Sequence, residues 1–235
     1  MRLLLTLQYL GTNYGGWQLQ TTTVTVQQVL EEALARMFHT SIRAHGAGRT
    51  DAGVHAAAQR AHVDVPFEIP ARGLILGLNQ ILPHDVRVIA VETVAEDFHA
   101  RFDAKGKTYA YRIWNAEVAD VFAAETHAHV ASPLDVDAMH AVAQTLLGTH
   151  DFKVFTVADP EVQTTIRTIE AISVVRDRAR VTLTATADGF LRSMVRRIAG
   201  SLIEVGRGKL AKEALFEQAR WTAPAKGLIL LNVRY

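Results

Sequence analysis

Residues 46–56 read Gly46-Ala47-Gly48-Arg49-Thr50-Asp51-Ala52-Gly53-Val54-His55-Ala56. Three glycines surround one carboxylate, with Arg49 two residues before it and His55 four after. Glycine adopts backbone angles that other residues avoid and leaves room for close approach. A carboxylate on such a loop can therefore be aimed outward with no bulky neighbour shielding it. The plainer alternative is a turn between two strands in which Asp51 bonds its own backbone. The flanks suit either reading. Ser41–His45 reads as a short strand entering the loop, and Ala56–Val65 as a strand leaving it.

Working outward, strands and helices alternate. Residues 2–10 form an apolar strand. Met1–Leu7 has the look of a leader start, but Gln8, Tyr9 and Asn13 interrupt it and no small-residue cleavage site follows. Thr25 is placed to cap a helix through Phe38, whose apolar residues Val26, Val29, Leu30, Ala33, Leu34 and Met37 recur at three- and four-residue steps. Pro70 starts a second helix over Ala71–Leu82, ended by Pro83, and Val86–Val94 is a strand. In the second half Thr108–Trp114 is a strand, and Asp135 caps a helix through Leu147 that Gly148 stops. Ile166–Val175 and Ala179–Ala187 form a hairpin. Helices follow over Phe190–Val205 and Leu210–Trp221, then a strand over Leu228–Val233. The pattern predicts two successive α+β domains, 1–100 and 101–235, with mainly antiparallel sheets.

The chain has 235 residues, 49% of them hydrophobic and 21% charged, the balance of a globular protein with a substantial core. No run approaches the ~18 apolar residues of a membrane span. The absence of cysteine removes disulfides, thiolate metal sites and a cysteine nucleophile, and fits a reducing cytoplasm. Net charge is only +1, but basic residues gather locally. Arg192, Arg196, Arg197, Arg207, Lys209 and Lys212 face one acid, Glu204, in sequence; Arg101, Lys105, Lys107 and Arg112 face only Asp103. Such stretches suit a phosphate-tracking cleft or, equally, a solvated helix face. The pair His127 and His129, alternating on a strand, lacks a convincingly spaced third ligand, so no metal site is expected.

The Asp51 loop does not stand alone. Tyr9-Leu10-Gly11, Gly16-Trp17-Gln18-Leu19-Gln20, Val26-Gln27, Leu78-Asn79 and Phe98-His99-Ala100-Arg101-Phe102 lie before residue 103. Lys107-Thr108-Tyr109-Ala110-Tyr111-Arg112-Ile113, Gly148-Thr149-His150-Asp151-Phe152, Phe190-Leu191-Arg192-Ser193-Met194-Val195-Arg196, Thr222–Leu228 and Val233-Arg234-Tyr235 follow. Together with the loop, this ordered set resembles the TruA family of pseudouridine synthases along the whole chain.

The resemblance implies two ferredoxin-like (RRM-like) α+β halves flanking a central basic cleft. It implies isomerisation of uridine to pseudouridine in the anticodon stem-loop of transfer RNA, at positions 38–40, with no cofactor or metal. The bond from ribose to N1 breaks and the base is reattached through C5. Asp51 aligns with the nucleophilic aspartate; attack on base or sugar and stabilisation of charge at the sugar are all open to it. Tyr109 aligns with the active-site tyrosine, placed to stack on a flipped uracil and to assist loss of the C5 proton. Tyr111, on the same strand face, suits a core role better. Arg196 aligns with the partner of the aspartate, and Arg192 one helical turn earlier points the same way. Arg49 is implied in displacing the target base. Arg101, Lys105, Lys107, Arg192 and Arg197 are candidates for RNA contacts, chiefly to the backbone. His55 and His99 are candidate hydrogen-bonding scaffold residues. The resemblance further implies a homodimer.

Two departures stand out: Leu10 replaces an acid usual after the tyrosine, and Lys153-Val154-Phe155-Thr156 replaces a small polar stretch with an arginine. A non-catalytic RNA-binding protein would show an eroded Asp51 loop, and this loop is intact. A carboxylate-dependent nucleosidase or glycosidase would need a second carboxylate, with Asp64, Asp103 and Asp151 available.

Overall fold

The computed structural model describes residues 1–157 and 162–235. The chain divides into two compact units, Met1–Lys105 with Leu230–Tyr235, and Gly106–Ile229. The fold is α+β with mainly antiparallel pairing.

The first unit runs β1 (Arg2–Tyr9), α1 (Val26–Phe38), β2 (Ala44–Gly46), β3 (His55–Asp64), α2 (Ala71–Ile81) and β4 (Val86–Thr93). The sheet order is β4-β1-β3, with β2 on β3. That is the strand–helix–strand–strand–helix–strand arrangement expected of a ferredoxin-like half. Leu3, Leu5 and Leu7 of β1 are buried with Leu30 and Leu34 of α1 and Leu74 and Leu78 of α2, which fill the core. Thr25 Oγ1 accepts from Gln28 N at 3.2 Å, the cap its position predicts. Gly73 sits exposed in α2, and a Cβ there would meet only Ile69 Cγ2 at 3.6 Å. Gly73→Ala is therefore expected to stabilise the fold by about 0.5–1 kcal/mol, because only the helix-propensity gain remains. Thermal unfolding checks it, with a Tm rise of roughly 1–4 °C for a chain of this size.

The last strand, β10 (Leu228–Arg234), lies beside β3. Residues 230–235 consequently group with the first unit rather than with the rest of 101–235. Lys105 N donates to Arg234 O at 2.8 Å, and the Tyr235 hydroxyl to Ala100 O at 2.9 Å.

The second unit contains β5 (Gly106–Trp114), β6 (Ala128–His129), α3 (Val136–Ala143), β7 (Gly148–Asp151), β8 (Ile166–Asp177), β9 (Arg180–Ala187) and α4 (Met194–Gly206). Its sheet order is β5-β9-β8-β7, with the two-residue β6 on β5. α3 packs on β8 and α4. Close approach is written into α4. A Cβ at Gly206 would lie 2.7 Å from Met139 Sδ, and one at Gly200 would collide with the 221–223 backbone.

Three expectations are corrected here. The helix placed over Phe190–Val205 begins only at Met194, because Ser193 is left-handed (φ 59°) and makes no capping bond. The helix placed over Leu210–Trp221 is reduced to a 3₁₀ turn at Lys212–Ala214. Its backbone bonds mostly span three residues, while Leu210, Leu215 and Ala219 are pinned in the core. The helix placed through Leu147 changes at Gln144 into a 3₁₀ turn, where Gln144 Nε2 donates to Ile172 O at 2.8 Å.

Candidate active site

The Asp51 loop is braced by the segment that follows β1. Trp17 N donates to Thr50 O at 3.1 Å, Gly53 N to Tyr14 O at 3.3 Å, and Val54 N to Asp51 O at 3.1 Å. The buried Tyr9 hydroxyl bonds Thr50 Oγ1 at 2.9 Å, and burial pushes its pKa up to about 12. Gly11 N donates to His55 Nδ1 at 2.9 Å, so His55 is a scaffold acceptor. Gly16 has φ 95°, and a Cβ on it would overlap Thr50 O and lie 3.0 Å from Asp51 C. The Trp17 ring in turn lies where a side chain at Gly46 would be, 2.5 Å from its Cβ position. The opening motif is thus a cradle that sets the backbone of Thr50 and Asp51, and the half-buried Asp51 is presented from it. Leu10, the departure from the family's usual acid, is exposed. Nearby, Asp85 accepts from the Tyr14 hydroxyl at 2.6 Å and from Asn13 Nδ2 at 3.2 Å.

The second unit holds Tyr109 and Arg196. Tyr109 is buried on β5 with Phe190 edge-on to it at 5.3 Å. Tyr111, fully buried on the same strand, donates to Pro224 O at 2.8 Å. Burial holds its hydroxyl well above the usual tyrosine range, against the opposing effect of the nearby Arg196. Arg196 grips the chain around residue 223 twice: its Nε donates to Ala223 O at 2.9 Å, and its carbonyl accepts from Ala223 N at 3.0 Å. The 222–228 motif is therefore a strap tied to Tyr111 and Arg196. Arg192 precedes α4 and is exposed, so the expectation that it shares a helical face with Arg196 is corrected.

The remaining basic candidates divide. Arg49 and Arg101 are exposed and line one cavity of about 230 Å³ in the first unit. Lys105 is exposed, and Lys107 lies half-buried on β5. Arg197 is half-buried, donates to Val154 O at 3.1 Å, and carries a structural bond besides any RNA contact.

A cluster invisible in sequence lies at β2 and β3. His45 and His62 face each other across the strand pair, and His99 completes a group whose ring nitrogens lie within 4.8 Å of one another. His62 Nδ1 accepts from Ala100 N, and His99 Nδ1 from Arg101 N, both at 3.1 Å. Backbone amides can only donate, so both rings carry their proton on Nε2. A metal-bound imidazole has the opposite arrangement, donating its other N–H to an acceptor. The cluster thus suits neighbouring acceptor atoms rather than a cation. Burial, then His45 and His99, push the His62 pKa down to about 4. Because the folded value lies below the unfolded ~6.5, the unfolded chain binds more protons between them, and stability falls as pH drops through that window. His62→Asn, which keeps an acceptor for Ala100 N, is expected to flatten the pH dependence between about 6.5 and 4. Urea unfolding at several pH values checks this. His127 and His129 are occupied locally, bonding Thr126 Oγ1 at 3.0 Å and Ala116 O at 2.8 Å.

The family described as tRNA pseudouridine synthase matches residues 6–103 and 142–235. Three relatives carry the name tRNA pseudouridine synthase A. That of Brevibacillus brevis is 44% identical, covering 100% of this chain and 99% of the relative. That of Myxococcus xanthus is 42% identical, covering 100% and 92%. That of Pelobacter propionicus is 38% identical, covering 98% of each. The matched residues include the Asp51 loop, its bracing segment and the strap held by Arg196, and identity at this level runs the length of the relatives. The chain belongs to the tRNA pseudouridine synthase family.

Proposed function

We propose that this protein isomerises uridine to pseudouridine in the anticodon stem-loop of transfer RNA, with Asp51 as the catalytic carboxylate. The observation that carries the reading is the ordered, full-length likeness joined to a loop whose glycines present Asp51 from a braced backbone. The reaction conserves atoms. The N1–C1′ bond breaks, the base turns, C5 bonds C1′, and the C5 hydrogen leaves as a proton while N1 gains one. The Asp51 carboxylate serves such a glycosidic cleavage by stabilising charge at the sugar or as a nucleophile. Tyr109 of the second unit stacks on the displaced uracil, and its hydroxyl stands ready for the C5 proton. Arg196 supports the carboxylate electrostatically, and Arg49 occupies the space of the displaced base. Lys105, Lys107, Arg101, Arg192 and Arg197 contribute backbone contacts, which set affinity more than sequence choice. The protein acts as a homodimer in the cytoplasm, a reading supported by the family likeness and, for the compartment, by the absence of cysteine.

The glycosidase alternative is disfavoured by where its carboxylates go. Asp64 is doubly bonded to Arg2 at 2.8 Å, which lowers its pKa. Asp103 accepts from His99 N at 2.7 Å, and Asp151 from Thr165 Oγ1 and Lys153 N. Each serves its own loop or strand end.

The test is incubation of the protein with an unmodified transfer RNA transcript in a chelating buffer, followed by position-resolved mapping of pseudouridine. Product confined to the anticodon stem-loop is expected. Product elsewhere would overturn the specificity, and no product from folded protein would overturn the activity.

A further inference from the structure

Phe102 is 75% exposed, yet the turn that carries it is held on several sides. His99 N donates to Asp103 Oδ2 at 2.7 Å, and Asp103 N returns a bond to His99 O at 3.0 Å. His99 Nδ1 accepts from the amides of Arg101 at 3.1 Å and Phe102 at 3.3 Å. The rings continue this order. Phe102 stacks on His99 with centroids 4.2 Å apart, His99 meets His62 at 4.7 Å, and His62 stacks on His45 at 4.8 Å. A phenyl ring on a loose loop would fold back onto apolar surface. This one ends a row of four rings with its surface in water.

The cavity beside it, about 230 Å³, is lined by Phe102 together with Arg43, Arg49, Arg101, His45 and His99, and, among the described residues, by no carboxylate. Arg43 shares its charge with Glu31 at 3.3 Å, and the Arg101 guanidinium lies 5.9 Å from the Phe102 centroid. A preset aromatic face next to three guanidinium groups complements a nucleotide: a flat base and an anionic backbone.

Resting on the RNA-modifying reading above, we infer that this pocket is a subsite for one unpaired base of the RNA, stacked on Phe102, with Arg43 and Arg101 receiving the flanking phosphates. Stacking accepts any base, so the subsite holds and positions the RNA without selecting its sequence. His99 is a positioning residue that acts by fixing the turn.

The experiment measures equilibrium binding of an unmodified transfer RNA transcript, and kcat and KM for uridine conversion, with wild type, Phe102→Leu and Phe102→Trp. Loss of a base–aromatic stack predicts roughly 5- to 100-fold weaker binding for Phe102→Leu, with KM raised and kcat at saturating RNA within about twofold. Phe102→Trp restores wild-type affinity. Unchanged affinity in Phe102→Leu, or no rescue by tryptophan, overturns the subsite while leaving the activity standing. A shift in sedimentation of Phe102→Leu with RNA affinity intact overturns it in favour of a contact between copies. A wild-type protein that neither binds nor converts the transcript overturns the parent reading itself.

Discussion

Asp51→Asn is expected to lower uridine conversion by roughly 10³-fold or more, which is above about 4 kcal/mol of lost transition-state stabilisation. Affinity for the RNA stays within about threefold, since phosphate contacts dominate it. Asparagine keeps the size of the side chain but not its charge, so neither a covalent bond through carboxylate oxygen nor stabilisation of positive charge at the sugar survives. The loop itself persists in the variant. Its bracing bonds, Trp17 N to Thr50 O and Val54 N to Asp51 O, are made by backbone atoms that the substitution leaves in place. Single-turnover kinetics beside a binding isotherm separates the two effects. Conversion within about tenfold of wild type would remove Asp51 from the chemistry.

Gly16→Ala is expected to damage both the fold and the loop that carries Asp51. Its φ of 95° alone costs a non-glycine residue about 1–3 kcal/mol. The new methyl would also overlap Thr50 O, and that contact is backbone, which cannot swing aside. The same peptide groups tie Gly16 O to Val26 N and Trp17 O to Gln27 N, so displacement propagates into the start of α1. A total loss of about 3 kcal/mol or more follows, seen as a Tm fall of roughly 6–12 °C. Activity measured well below the new Tm falls further than stability accounts for, since Thr50 and Asp51 themselves must shift. A Tm within about 2 °C of wild type would show that the cradle is not what holds the loop.

The two substitutions illustrate what the sequence discloses and what it does not. Asp51 stands out because the wording of the loop resembles one family; glycines around a carboxylate suit an ordinary turn by themselves. The brace is not, although Gly11, Gly16 and Trp17 stand in a quoted motif. Their purpose depends on which backbone they approach, and that is fixed only by the packed fold. α1 was readable from Thr25 and its apolar spacing because capping and periodicity are local. The start of α4 was not: Phe190 and Leu191 continue the apolar pattern, but Ser193 turns left-handed and the helix starts after it. Residues 210–221 carry helical spacing that tertiary anchoring of Leu210, Leu215 and Ala219 overrides. The His45, His62 and His99 cluster needed the β2–β3 register, in which His45 stands opposite His62. Without that register the ten histidines are a count with no geometry.

Conversion of uridine to pseudouridine must expel the hydrogen on C5, whichever atom Asp51 engages. Release of tritium to water from transfer RNA labelled at uridine C5, with chelator present, therefore tests the central claim most directly. The wild-type protein is expected to release one equivalent per pseudouridine formed, and Asp51→Asn only background. No release by folded wild-type protein, or equal release by the variant, would contradict it.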